Sequence, residues 1–115
     1  MHETIEKLIA SGPAVTDGAW GTQMQQRGLP VGACPDAWNL SDPEKVEEVA
    51  RAYVEAGSQI ILTNTFGANR YILDRHDLAE RAAEISRAGA EISKRAADGR
   101  ALVFASMGPS GKMLV

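Results

Sequence analysis

The sequence predicts an α/β fold of parallel strands joined by helical crossovers, and three observations carry that prediction. Two short apolar runs, Gln59–Asn64 and Ala101–Met107, read as strands buried on both faces. Segments of helical period lie before and between them, and glycine or proline closes each one. The predicted strands end alike, in Asp17-Gly18, Asn64-Thr65 and Gly108-Pro109, so small or polar residues gather at one edge. The second and third strands begin 42 residues apart (Gln59, Ala101). Such spacing implies parallel pairing through right-handed crossovers.

Each element has its local cause. Residues Glu3 to Ser11 set Ile5, Leu8 and Ile9 on one face, and Gly12-Pro13 ends this short helix before the first strand, Ala14–Thr16. From Asp17 to Leu40 no period is sustained. Gly28, Pro30, Gly32 and Pro35 punctuate a long loop with one helical turn near Thr22–Gln26. Ser41-Asp42-Pro43-Glu44 has the spacing of a capping box with proline in the first turn. Val46, Val49, Ala50, Tyr53 and Val54 then form one apolar stripe that stops at Gly57. A second helix is expected over Asp77–Ala97, with Leu78, Ala82, Ile85, Gly89, Ile92 and Ala96 facing inward. Glu91 and Arg95 are expected to pair on its outside. Glycine at 89 costs helix stability, which implies close packing against the sheet. Asp98-Gly99 ends the helix, and the third strand follows.

Composition excludes several classes of function. The 115 residues carry a formal charge of −3, with 44% hydrophobic and 23% charged residues, as in a globular domain of ordinary size. No basic stripe suits nucleic acid, no apolar run approaches a membrane span, and the N-terminus lacks the form of a signal peptide. A single cysteine, Cys34, makes neither an internal disulfide nor, alone, a metal site. A reducing, cytoplasmic location is the expectation.

Asp17-Gly18-Ala19-Trp20-Gly21-Thr22 is the stretch that suggests chemistry. One Asp-Gly pair is ordinarily a turn. Three polar strand ends on one edge instead point to a site, because parallel α/β folds place ligands there. Asp17 offers a carboxylate, and Gly18 and Gly21 allow a ligand close to the main chain. Among the remaining residues, Trp20 reads as a shield for a ligand or as loop packing, and Trp38 as a loop anchor. His76 reads as a surface histidine or a cap, His2 carries no signal, and Met24 and Met107 read as core. Gly108-Pro109-Ser110-Gly111 lacks the lysine and spacing of a phosphate loop and reads as a rim turn.

Taken together, Asp-Gly-Ala-Trp-Gly-Thr, Thr-Asn-Thr-Phe-Gly-Ala-Asn (63–69) and Met-Gly-Pro-Ser-Gly (107–111) resemble the homocysteine S-methyltransferase family over essentially the whole chain. The form of the first motif is closer to the methionine synthase branch. The resemblance implies a (β/α)8 barrel, of which residues 1–115 are the N-terminal part with the first three parallel strands and their helices. It implies methyl transfer to the thiol of homocysteine, giving methionine, with Asp17, Gly18 and Ala19 at the amino acid end of the substrate. Asn64, Thr65 and Phe66 would line the same pocket. It further implies zinc, bound in the complete domain by cysteines of late strands that this chain does not contain. Cys34 matches none of those positions. The methyl donor stays open among methylcobalamin or methyltetrahydrofolate, betaine and an S-methyl donor. A barrel of this kind takes ~250 residues, so the chain alone is expected to be inactive. It is expected to self-associate or to need the remainder of the barrel. A non-catalytic amino-acid-binding or subunit-completing module is the alternative, and an unrelated barrel sharing the rim chemistry by chance is a third.

Overall fold

The computed structural model describes residues 1–114, and within them six α-helices surround a short parallel sheet. The helices are α1 (Glu3–Ile9), α2 (Trp20–Gln26), α3 (Trp38–Ser41), α4 (Pro43–Glu55), α5 (Arg70–Asp74) and α6 (Ala82–Ala97). The strands are β1 (Ile60–Leu62) and β2 (Leu102–Phe104), paired in parallel with Ile61 opposite Val103. Helices therefore separate consecutive parallel strands, as the sequence predicts.

The first predicted strand is reduced to a single parallel bridge between Thr16 and Ile60. Its surroundings explain the loss. Pro13 has no N–H to give, and the Val15 N–H goes to the side chain of Gln59 (2.7 Å) instead of a ladder carbonyl. Even so, Gln59 and Ile60 both donate to the Val15 carbonyl and Asp17 N donates to Ile60 O (3.0 Å), so the spatial order of the three segments follows the chain. The second and third strands are also shorter than the apolar runs that predict them.

The two long helices sit as their patterns require. Val46, Val49, Ala50 and Val54 of α4 are buried, as are Ile85, Gly89, Ile92 and Ala96 of α6. The core divides into three clusters, the largest formed by Met24, Leu29, Trp38, Val46, Val49 and Ile92. Trp38 anchors its loop there, with the Lys45 ammonium 5.1 Å from its ring centroid.

Several local expectations are corrected. In the segment from Asp17 to Leu40 the helical turn expected near Thr22–Gln26 is α2, but a 3-10 turn at Pro35–Ala37 and α3 are added, because Leu29, Cys34 and Trp38 bury there without sustained helical spacing. Ser41 ends α3 and donates to Ala37 O (3.3 Å); Asp42 occupies the N-cap of α4 without a side-chain bond, so no capping box forms. The expected helix from Asp77 starts at Ala82, since Asp77 takes φ 59° and a 3-10 turn intervenes. The helix α5 lies inside a segment given no element by the sequence. Arg95 pairs with Glu47 of α4 (2.9 Å) instead of Glu91, tying the two long helices together. Met107 is exposed at the rim.

The sheet is covered unevenly. Leu102, Val103 and Phe104 are only half-buried, since α6 covers one side of β2. Accessible surface totals 7363 Å², whereas a monomeric protein of this mass exposes about 6,100 Å². The radius of gyration of 14.8 Å likewise exceeds the roughly 13.3 Å expected for this length.

Candidate functional site

Asp17 stands at the C-terminal end of the first segment, and its geometry follows from two neighbours. Oδ2 accepts the Leu62 N–H (2.8 Å) and the Trp20 indole N–H (2.7 Å). The carboxylate thus caps the end of β1 where the short first segment provides no ladder acceptor. Trp20, half-buried against the core, orients it. Oδ1 makes no hydrogen bond among the described residues. Ala19 lies beside it, its carbonyl accepting from Tyr53 Oη (2.6 Å), and a side chain at Gly18 would press on that same hydroxyl. Burial first, and the Asp17 charge second, push the Tyr53 phenol upward.

The end of β1 is knit to the segment after β2. Ser106 N donates to Thr63 Oγ1 (3.1 Å), and Thr65 Oγ1 donates to Ser106 O (2.8 Å). Thr65 has one hydroxyl proton, so the 2.6 Å contact between the two threonines is donated by Thr63. The Phe66 carbonyl accepts from Gly108 N (3.0 Å), and its ring is 64% exposed. A side chain at Gly108 would run into that carbonyl, which is why the rim turn begins with glycine.

Beneath this rim lies a buried polar layer absent from the sequence reading. Asn39 Nδ2 donates to Asn64 O (2.8 Å) and Ile85 O (3.1 Å). Asn64 Nδ2 donates to Asn39 Oδ1 (2.9 Å) and Pro35 O (2.9 Å). Asp36 is 4% exposed, and its Oδ2 accepts from Gly67 N (3.0 Å). Desolvation pushes the Asp36 carboxyl above its ordinary range, against the pull of backbone hydrogen bonds and of His76. Gly89 lets α6 approach: a Cβ there would lie 2.7 Å from the Thr65 methyl and 2.8 Å from Asn39 Nδ2. The signal in sequence was a polar residue at both ends of the apolar Ala37-Trp38, in a segment without period.

The structure therefore brings Asp17, Gly18, Ala19, Thr65 and Phe66 to one rim, while the Asn64 amide turns inward to Pro35 and Asn39. A cavity of about 410 Å³ reaches Thr65, Phe66, Met107 and Gly108, yet its other wall is Ser86 and Ala90 of α6. That space lies behind β2, away from Asp17. No group of three or more His, Cys, Asp or Glu among the described residues could hold a metal. Cys34 is buried with only the Asp36 carboxylate near it (4.0 Å), and burial raises its thiol pKa. These donors do not fit a zinc ion.

The family profile described as Homocysteine S-methyltransferase matches residues 14–115. The chain is 34% identical over 119 residues to the methionine synthase of Mycobacterium leprae (strain TN), covering 93% of this chain and 10% of that protein. It is 36% identical over 118 residues to the methionine synthase of Mycobacterium tuberculosis (strain ATCC 25618 / H37Rv), covering 92% of the chain and again 10% of the relative. The chain thus spans about a tenth of the length of these relatives. It also superposes on the homocysteine methyltransferase MmuM from Escherichia coli. The oxidized form matches with TM-score 0.79, 21% identity, 92% of this chain and 41% of that one. The metallated form matches with TM-score 0.80, 22% identity, 93% of this chain and 42% of that one.

Proposed function

The chain belongs to the homocysteine S-methyltransferase family, and from that premise we propose that it forms part of the homocysteine pocket of a methyltransferase, within the N-terminal part of a (β/α)8 barrel. The observation that carries this reading is Asp17. One carboxylate oxygen is held by Leu62 N and Trp20 Nε1, which leaves the other without a partner among the described residues. An ammonium group suits that oxygen, and Thr65, Phe66 and the backbone of Gly18 and Ala19 are the groups assigned to the rest of the amino acid. Activation of the thiol is assigned to zinc ligands outside this chain, and residues 1–115 supply none of them. The methyl donor is assigned to parts of the protein beyond these residues, and the location to the cytoplasm, where a lone thiol stays reduced. A subunit-completing module is the second reading, favoured by the half-covered β2 and the surplus surface.

Titration of the ¹⁵N-labelled chain with L-homocysteine tests the pocket. Shifts should centre on Asp17–Ala19 and Thr65–Phe66. Asp17→Ala should weaken binding about 10- to 150-fold, the equivalent of one charge-assisted hydrogen bond of roughly 1.5–3 kcal/mol. Asp17→Asn keeps an acceptor for Leu62 and Trp20 but loses the charge, so it should bind almost as poorly while folding normally. Shifts confined to other surfaces, or an unaltered affinity in Asp17→Asn, would return Asp17 to the role of a turn.

A further inference from the structure

The peptide unit joining Phe66 to Gly67 is gripped from both sides. Its C=O accepts from Gly108 N (3.0 Å), and its N–H donates to Asp36 Oδ2 (3.0 Å). In a trans peptide these two groups point in opposite directions, so the two bonds fix the plane and with it the position of the Phe66 Cα from which the side chain projects. We propose that Asp36 is a positioning residue for the substrate rim: it holds the Phe66–Gly67 peptide and thereby sets where the exposed Phe66 ring stands beside the pocket. The proposal rests on the homocysteine reading above and adds a residue that does not itself touch the substrate.

Three features favour positioning over a purely structural carboxylate. First, no cation touches the charge: Asp36 takes part in none of the ion pairs among the described residues, and His76 acts on it from beyond ion-pair distance. Second, its other partner is weak, the Cys34 thiol at 4.0 Å. A neutral acceptor would satisfy Gly67 without the desolvation of a buried charge. Such local conflict with stability is the mark of a site held for function. Third, the fit is tight on the far side as well. A Cβ at Gly67 would lie 2.9 Å from Asp36 Oδ1 and 3.3 Å from Ile72 Cγ2, so the carboxylate rests directly on the glycine backbone. A charge-assisted bond is roughly twice as strong as a neutral one, and a peptide held by it on one edge and by Gly108 on the other does not flip.

The test compares Asp36→Asn and Asp36→Ala with the unaltered chain, reading amide exchange at Gly67 and L-homocysteine affinity by NMR. The asparagine variant keeps shape and an acceptor but drops the charge; Gly67 should exchange about 3- to 10-fold faster, with a parallel loss of affinity. The alanine variant should lose more on both counts, while Val49 and Ile92 amides in the core exchange as before. Should alanine prevent folding, the asparagine variant carries the test alone. Unchanged Gly67 exchange in Asp36→Asn, or faster exchange with unaltered affinity, overturns the positioning role and leaves the pocket standing. An unaltered chain that shows no response to homocysteine overturns the pocket and this role with it.

Discussion

Replacing Gly89 by alanine sets two effects of known size against each other. In an exposed helix the change stabilises by about 0.8–1 kcal/mol, because glycine is the poorer helix former. Here the new methyl would lie 2.7 Å from Thr65 Cγ2, 2.8 Å from Asn39 Nδ2 and 3.3 Å from Asn64 O. Neither side chain can swing away: Thr65 is tied to Thr63 and Ser106, and Asn39 to Asn64 and Ile85. Relief comes only from moving α6 outward or breaking the Asn39–Asn64 bond. Overpacking of this kind costs about 1–3 kcal/mol, and a buried carbonyl left without its donor about 1–3 more. The clash wins, with a net loss of roughly 1–5 kcal/mol and a fall in Tm of roughly 4–20 °C. Thermal unfolding followed by circular dichroism, at matched protein concentration, measures it. A gain of about 1 kcal/mol would mean that α6 does not press on the rim, and that the polar layer beneath Thr65 is looser than drawn.

The other predictions concern charge, association and metal. Glu47 bridges Arg51 (2.8 Å) and Arg95 (2.9 Å), and these hydrogen bonds hold its carboxyl below the ordinary 4.5. A lowered folded pKa stabilises above the unfolded value and is lost as pH falls through the folded one. Glu47→Gln should therefore cost about 0.5–1 kcal/mol at pH 7 and nothing once both states are protonated; denaturation at several pH values checks this, and a constant difference would contradict it. The surplus surface of about 1,300 Å² is the size of a standard interface per partner or larger. Sedimentation at micromolar concentration should show oligomers or aggregation, and a stable, cooperatively unfolding monomer would sink the barrel-fragment reading. After zinc loading and desalting, the 115-residue chain should hold well under one ion and show no methyl transfer to homocysteine. One tightly held zinc per chain, or turnover, would contradict that.

Much of the architecture was legible because it rests on period and punctuation. The stripes of α4 and α6 are one-face patterns, and Gly89 betrayed its contact by costing a helix what alanine would not. The region from Asp17 to Leu40 was illegible for the opposite reason. Its buried residues, Met24, Leu29, Cys34 and Trp38, follow no helical or strand period, because short turns pack each one into a different corner of the core. Asp36 and Asn39 were missed on the same account. A carboxylate and an amide in a polar-looking loop read as solvated until the fold buries them. The Ser41–Glu44 spacing misled because Ser41 is still the last helical residue of α3, which leaves the N-cap of α4 to Asp42. At the strand ends, the hydrogen bonds that the motif residues make with one another were not legible in the sequence.

That division follows from counting protons and lone pairs. The strands supply only three residues of ladder each, too few to hold a rim open against solvent. Side chains at the strand ends take over. Asp17 accepts the Leu62 N–H as a ladder carbonyl would, Thr63 and Thr65 close a ring with Ser106, and Asn64 locks onto Asn39 and Pro35. Polar residues that look like ligands in the sequence are thus first of all joinery. Thr65 has given its only proton to Ser106, and Asn64 both of its amide protons to the loop below. What the rim still offers a solute is the second oxygen of Asp17, the backbone beside it, and the ring of Phe66. In the proposed reading the recognising charge and the bonds that hold the rim are carried by different atoms of one aspartate, so Asp17→Asn separates recognition from architecture and Asp17→Ala does not.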